Sequence, residues 1–125
     1  MVVRNELSDE QIDRVFQALA ASTRRDILRR TIAQEQSVSE LARDYDMSFA
    51  AVQKHVAVLE AAELIIKRAE GRERLVRANP EMIARARALL SRYEDLWRSR
   101  ISRLDDLLAE DAPDSGSAPR GSSTP

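Results

Sequence analysis

The sequence predicts a mainly helical domain with one small β-hairpin, in the order four helices, a hairpin and a long last helix. Three observations predict it. Apolar residues recur at helical spacing behind recognisable N-caps, two β-branched runs flank Gly71, and the final apolar stripe continues from Ile83 to Leu108 without a break.

The first helix follows Ser8-Asp9-Glu10-Gln11, a capping-box pattern, and Ile12, Val15, Phe16 and Leu19 give it a core face over roughly Asp9 to Ala20. Ser22 is the expected N-cap of a second helix, Thr23 to about Ala33, with Ile27, Leu28 and Ile32 inward. Arg24, Arg25, Arg29 and Arg30 flank that face and read as solvated, with a minority left to touch phosphates. Ser37-Val38-Ser39-Glu40 is a second capping box, and Val38, Leu41, Ala42 and Tyr45 form the apolar face of a third helix. Asp46-Met47-Ser48 interrupts the pattern, Asp46 being a residue that tolerates a left-handed turn and Ser48 a good N-cap. In the fourth helix Val52, Val56 and Leu59 share one face, while Phe49, Ala50, Gln53, Lys54 and Ala57 share the other. Two short helices joined by a tight turn, the second with a small and polar outer face, have the sequence form of a helix-turn-helix.

Leu64 to Arg68 and Arg74 to Ala78 read as two strands across Ala69-Glu70-Gly71-Arg72-Glu73, a hairpin placed as a wing behind a recognition helix. Lys67, Arg68, Arg72, Arg74 and Arg77 make it the most basic short segment, and Arg72 beside Gly71 is the best placed for a groove or backbone contact. Asn79-Pro80-Glu81 starts the last helix with an N-cap, a proline at the first position and an acid in the first turn. Its stripe of Ile83, Ala86, Leu90, Tyr93, Trp97, Ile101, Leu104 and Leu108 spans on the order of 40 Å, more than a domain of this size needs for its own core. The surplus predicts a two-fold dimer through this helix, with the first helix and Phe16 alongside; packing within the chain is the alternative. Residues 1–8 read as a flexible lead-in, 9–110 as the folded domain, and 111–125, rich in Pro, Gly and Ser, as a disordered tail.

The 125 residues leave room for one domain with a single core. The absence of cysteine excludes a disulfide framework, a thiolate metal site and a thiol nucleophile. No apolar run reaches the roughly 18 residues of a membrane span, and Met1-Val2-Val3-Arg4 lacks the order of a signal peptide, so a soluble cytoplasmic protein is expected. Net charge is −1, which by itself argues against a nucleic-acid binder. Its distribution is more permissive: two basic against four acidic residues over 1–21, eleven against nine over 22–79, and seven against eight over 80–125.

In this order and spacing several segments resemble the ArsR/SmtB family of bacterial winged-helix repressors, over about Asp13 to Glu110. They are Phe16-Gln17-Ala18-Leu19-Ala20, Ser22-Thr23-Arg24-Arg25-Asp26-Ile27-Leu28, Ser39-Glu40-Leu41-Ala42, Ala51 to Ala62, and Glu70-Gly71-Arg72-Glu73-Arg74. Tyr93 and Trp97 look like a metal-independent subgroup. The resemblance implies a homodimer on an inverted repeat of double-stranded DNA, with recognition helices in major grooves and wings on the neighbouring backbone or minor groove. By matching position, Ser48, Phe49, Gln53, Lys54 and His55 look like the DNA-facing set, with Arg72 and Arg74 in the wing. Gln suits adenine and Lys suits guanine by hydrogen-bond geometry. Gln53 stands where many members have serine, and Asp46 and Glu63 stand where many have glycine.

Family sensors commonly place a Cys pair in the third helix, or His and acidic ligands on the last. Here Ala42, Arg43 and Asp44 occupy the first set and the last helix has no histidine, so neither metal nor cofactor is expected. The acids Glu94, Asp95, Asp105, Asp106 and Glu110 read as a solvent face. His55, the only histidine, either contacts DNA or fills a packing gap; Phe49 either meets a thymine methyl or packs back on the turn. No phosphate-binding glycine loop or catalytic triad pattern is present, which leaves an enzyme without support. A winged-helix module for protein contacts is the competing reading. The residues are compatible with a small apolar inducer near Trp97, with a protein inducer, and with none.

Overall fold

The computed structural model describes residues 6–111. The element order is α1 (Asp9–Leu19), α2 (Ser22–Ala33), β1 (Gln36–Ser37), α3 (Val38–Arg43), α4 (Phe49–Ala61), β2 (Ile65–Glu70), β3 (Glu73–Ala78) and α5 (Pro80–Asp111). This is the winged helix-turn-helix arrangement that the sequence predicts, with one strand added. The chain divides into two units, one through Leu89 and one from Leu90 onward.

In the first unit both capping boxes form. The Ser8 hydroxyl accepts from the Gln11 amide and the Gln11 side chain accepts from the Ser8 amide; Ser37 and Glu40 repeat the exchange at 3.0 and 2.8 Å. Each satisfies two of the amide donors that a helix start leaves over. Leu7 and Ser8 thereby belong to the folded unit, Leu7 against the core and Ser8 as the cap. Residues 1–5 of the expected lead-in, and the tail beyond Asp111, lie outside the described residues.

Helix α2 departs from expectation at both ends. Ala21 is its N-cap, without a side-chain bond, and Ser22 is already helical. At the other end Ile32 is 60% exposed, so Ile27 is the fully buried apolar residue of this helix and Leu28 packs partly against the core. Its arginines are only partly a solvated face: Arg25 and Arg29 are exposed, Arg24 and Arg30 half-buried, and all four have bonded partners. Arg24 donates to the carbonyls of Ala18 and Gln17 at 2.9 Å each and Arg25 to that of Leu19 at 2.7 Å, which closes the carbonyl end of α1. Arg29 pairs with Asp26, whose other oxygen accepts from the Tyr45 hydroxyl. Arg30 bonds Asp44 at 2.8 Å and Gln36 at 2.7 Å while lying over the Tyr45 ring.

Strand β1 was not foreseen. It pairs antiparallel with β3, Gln36 opposite Val76 and Ser37 opposite Leu75, so the sheet has three strands in the order β1-β3-β2. Strands β2 and β3 run closer to their turn than the sequence suggests, Glu70 opposite Glu73, which leaves Gly71 and Arg72 as a two-residue loop. Gly71 has φ 63°, as a type II′ turn requires at its first central position.

The turn between α3 and α4 forms without a left-handed Asp46. Among the described residues the only non-glycine with positive φ is Glu63, at 62°. There the Leu64 amide reaches the Leu59 carbonyl at 3.1 Å and the Glu63 amide reaches that of Glu60 at 2.8 Å, the pair of bonds of a Schellman motif. The bend at the position where the resemblance implies glycine is thus made by Glu63. Asn79 ties it to the next helix: its side-chain amide donates to the Glu63 carbonyl at 2.9 Å and its oxygen accepts from the Glu81 amide.

The core collects Val15 and Ala18 of α1, Ile27, Val38, Leu41, the Val52, Val56 and Leu59 face of α4, Leu64, Ile65, Val76 and Met82. It therefore buries the inner face of α4 completely and turns the other face outward. The second unit is the continuation of α5, a helix of 32 residues in all, roughly 48 Å long. Its large apolar residues Leu90, Tyr93, Leu96, Trp97, Ile101, Leu104, Leu107 and Leu108 are all between 40 and 67% exposed in the single chain. Glu94 and Arg98 form an i,i+4 pair at 2.8 Å, and Arg100 lies over the Trp97 ring. No helix among the described residues is long and apolar enough to cross a membrane.

Candidate nucleic-acid interface

The outward face of α4 carries Phe49, Ala50, Gln53, Lys54 and Ala57, all exposed. Burial of Val52, Val56 and Leu59 fixes the rotation of the helix, since residues three and four apart share a face. Ser48 caps it, its hydroxyl oxygen accepting from the Ala51 amide at 3.1 Å, which leaves the hydroxyl proton free to donate outward. Phe49 is 46% exposed. Gln53 and Lys54 make no side-chain bond among the described residues.

His55 sits on the flank of this face and is half-buried. Its Nδ1 lies 3.1 Å from the Arg24 guanidinium. Guanidinium only donates, so Nδ1 accepts and the ring proton is on Nε2. Burial first, and the Arg24 charge second, push the imidazole pKa below its ordinary value of 6.5. The ring thereby joins α4 to Arg24, the arginine that closes α1, and its Nε2–H is left for another acceptor.

The five basic residues of the wing fall into separate classes. With alternation along the strands, Lys67 and Arg74 share the sheet face that includes the buried Ile65 and Val76, while Arg68 and Arg77 lie on the opposite face. Lys67 reaches back to Glu60 of α4 at 3.4 Å. Arg68 is held by Glu35 through two bonds, 3.0 and 3.1 Å, and by Glu70 at 2.7 Å. Arg72 in the turn and Arg74 opposite Ala69 are exposed and have no carboxylate partner among the described residues. The sequence singles out Arg72 and Arg74 by position; it does not show the ion pairs of Lys67 and Arg68, whose partners Glu60 and Glu35 lie seven and 33 positions away. Lys54, Arg72, Arg74 and Arg77 are the exposed cations of α4 and the wing with no carboxylate bond among the described residues, Arg77 on the sheet face opposite Arg74.

Among the described residues no three His, Cys, Asp or Glu side chains gather as a metal site would require.

Comparison with known proteins agrees with this geometry. Residues 19–68, from the end of α1 to the middle of β2, match the family described as "Helix-turn-helix domain". The chain is 35% identical over 102 residues to the HTH-type transcriptional regulator Rv2034 of Mycobacterium tuberculosis, covering 82% of this chain and 92% of that one. It is similar to the crystal structure of an ArsR family transcriptional regulator, with 35% identity, a TM-score of 0.70 and coverage of 75% of this chain and 97% of the other. It is also similar to a homodimeric winged helix-turn-helix DNA-binding domain from Mycobacterium bovis, described as a possible ArsR-family regulator, with 28% identity, a TM-score of 0.57 and coverage of 76 and 91%. These relatives are transcriptional regulators and not enzymes, and the chain belongs to the ArsR family of winged helix-turn-helix transcriptional regulators.

Proposed function

We propose that the protein is a homodimeric repressor that binds an inverted repeat, controls its own operon and responds to no metal. The observation that carries the reading is the outward face of α4, small and polar around Gln53 and Lys54 and without competing partners. Placed in a major groove, Gln53 and Lys54 reach base edges, while the Ser48 hydroxyl and the helix start meet a phosphate and Phe49 a thymine methyl. Arg72 and Arg74 serve the neighbouring backbone or minor groove. His55 acts from behind the face, by holding Arg24.

The dimer reading is supported by the eight large apolar residues exposed along α5 and by the homodimeric state of the Mycobacterium bovis relative. Leu90, Tyr93, Trp97, Ile101, Leu104 and Leu108 are the proposed contact, extended by Leu96 and Leu107, with exposed Phe16 of α1 as a further member. A two-fold pair of recognition helices reads a two-fold pair of half-sites, hence an inverted repeat. Independence of metal is supported by Ala42, Arg43 and Asp44 in and after α3 and by the lack of histidine in α5. A regulator confined to the cytoplasm fits this reading.

Selection from random duplex DNA, followed by titration at increasing salt, tests it. An inverted repeat is expected, with affinity falling steeply as salt rises. Arg72→Ala should lower the salt slope by about one phosphate contact per site, and Gln53→Ala should relax preference at one base pair by roughly 1–3 kcal/mol. Absence of any preferred sequence at low salt would favour the protein-contact module that the net charge of −1 otherwise suits.

A further inference from the structure

We propose that the hollow between α2, β3 and the first turns of α5 binds a small amphipathic carboxylate, apolar body inward and acid at the rim. The hollow has a volume of about 570 Å³, within the range of small-molecule sites. Its apolar lining includes Ile32, Pro80 and Ile83, and Ile32, which the core leaves over, lines it instead of the interior. Its charged members are Glu35, Arg77 and Arg87. Both oxygens of Glu35 are engaged by Arg68, on the far strand of the wing. Arg77 acts on Glu35 only through its charge, and neither it nor Arg87 has a hydrogen-bonded carboxylate among the described residues, so both forks keep donors for an anion. A planar fork of donors suits a carboxylate better than a point charge. A neutral apolar molecule would fill the floor and leave both forks unanswered.

The position gives the ligand a lever on the wing, a consequence that rests on the DNA-binding reading above. Arg77 belongs to β3, three residues from Arg74, and Glu35 holds Arg68 of β2, which in turn holds Glu70 next to the turn. A carboxylate arriving at Arg77 places a second negative charge near Glu35. That weakens the hold of Glu35 on Arg68 and loosens the strand pair that presents Arg72 and Arg74.

The test uses the full chain, 2-naphthoate and its neutral analogue 2-naphthamide, with calorimetry for affinity and isoleucine methyl NMR for location, all without DNA. Expected are saturable binding of one naphthoate per chain, shifts at the Ile32 and Ile83 methyls, and binding of the amide weaker by roughly tenfold or more. Arg77→Gln and Arg87→Gln, both at exposed positions, should each weaken naphthoate about fivefold or more while leaving the amide unchanged. No saturable binding, equal affinity for acid and amide, or shifts that avoid Ile32 and Ile83 would each overturn the proposal. With the selected operator in hand, naphthoate should raise the DNA dissociation constant of the wild type and not of Arg87→Gln; an unchanged constant beside confirmed binding would overturn the lever and leave the site. Because binding is measured on free protein, failure to find an operator leaves the site's test intact.

Discussion

The two units of this chain handle apolar surface in opposite ways. Through Leu89, large apolar side chains of five helices and two strands converge on one core, and Phe16, Ile32 and Phe49 are the exposed exceptions. From Leu90 onward no large apolar side chain among the described residues is buried in the single chain, although the residues recur with the same regularity. Helical period alone says that a face is apolar, not what covers it. The difference teaches that the first unit carries its own stability, whereas the second, one helix long, gains most of its stability from whatever packs on it.

The most severe way to break the contrast is to place a charge in the second unit's stripe. Leu104→Glu puts a carboxylate from each copy into the proposed dimer contact, where an unpaired buried charge costs about 3–5 kcal/mol. Sedimentation should show a monomer at concentrations where the wild type is a dimer, and operator affinity should fall roughly a hundredfold or more. A Leu104→Glu protein that remains dimeric would remove this helix from the interface. In the first unit the matching change is Leu41→Ala, at a residue with no exposed surface. Its expected cost is about 2–5 kcal/mol, the same at every protein concentration once referred to the folded chain, whereas the Leu104→Glu effect varies with concentration. Urea unfolding at two concentrations separates them.

These two positions also mark how much the sequence disclosed. Leu41 was legible because its neighbours Ser37 and Glu40 announce a helix start, and a capping box is a local interaction that sequence spacing reports directly. The outer face of α4 was legible for the same reason, being the complement of Val52, Val56 and Leu59. What escaped was non-local. Strand β1 is two residues long and shares Ser37 with the cap of α3, so no alternation could show it; only pairing with Val76 and Leu75 makes it a strand. Arg24, Arg25 and Arg30 look in sequence like any charged helix surface, yet their partners are carbonyls of α1, Gln36 and Asp44. In the wing Arg72 and Arg74 stood out by position, but the partners of Lys67 and Arg68, Glu60 and Glu35, did not.

A gentler test sharpens the division between residues that present the DNA face and residues that support it. His55 has its pKa lowered by burial and by Arg24, so the folded chain binds the proton less readily than the unfolded chain. Stability from this group is complete above the ordinary value of 6.5 and is lost as pH falls through it, because the unfolded state then takes up the proton first. Urea midpoints between about pH 7.5 and 5.5 should decline on the acid side, and His55→Gln should remove that decline. Asp26 works in a lower range: the Tyr45 hydrogen bond, then Arg29, holds its carboxyl below the ordinary value, and its contribution is lost only as pH falls toward that lowered pKa. A His55→Gln protein that keeps the slope near neutrality would show that the imidazole does not support α4 through Arg24.

The smallest expected effect concerns the joint between the DNA face and the wing. Glu63 holds a left-handed backbone, φ 62°, which is unfavourable for a side chain with a Cβ by about 1–2 kcal/mol, and its carbonyl is fixed by Asn79. Glycine at this position relieves the strain but adds freedom to the unfolded chain, which returns part of the gain. Glu63→Gly should therefore stabilise the first unit by about 0.5–1 kcal/mol, a rise of a few degrees in Tm, and Glu63→Ala should give no such gain because alanine keeps the Cβ. If both variants raise Tm equally, the cause is removal of the exposed carboxylate and not the backbone. The sign of the difference between Gly and Ala is thus a measurement of whether the α4-to-β2 bend is imposed on its sequence or merely permitted by it.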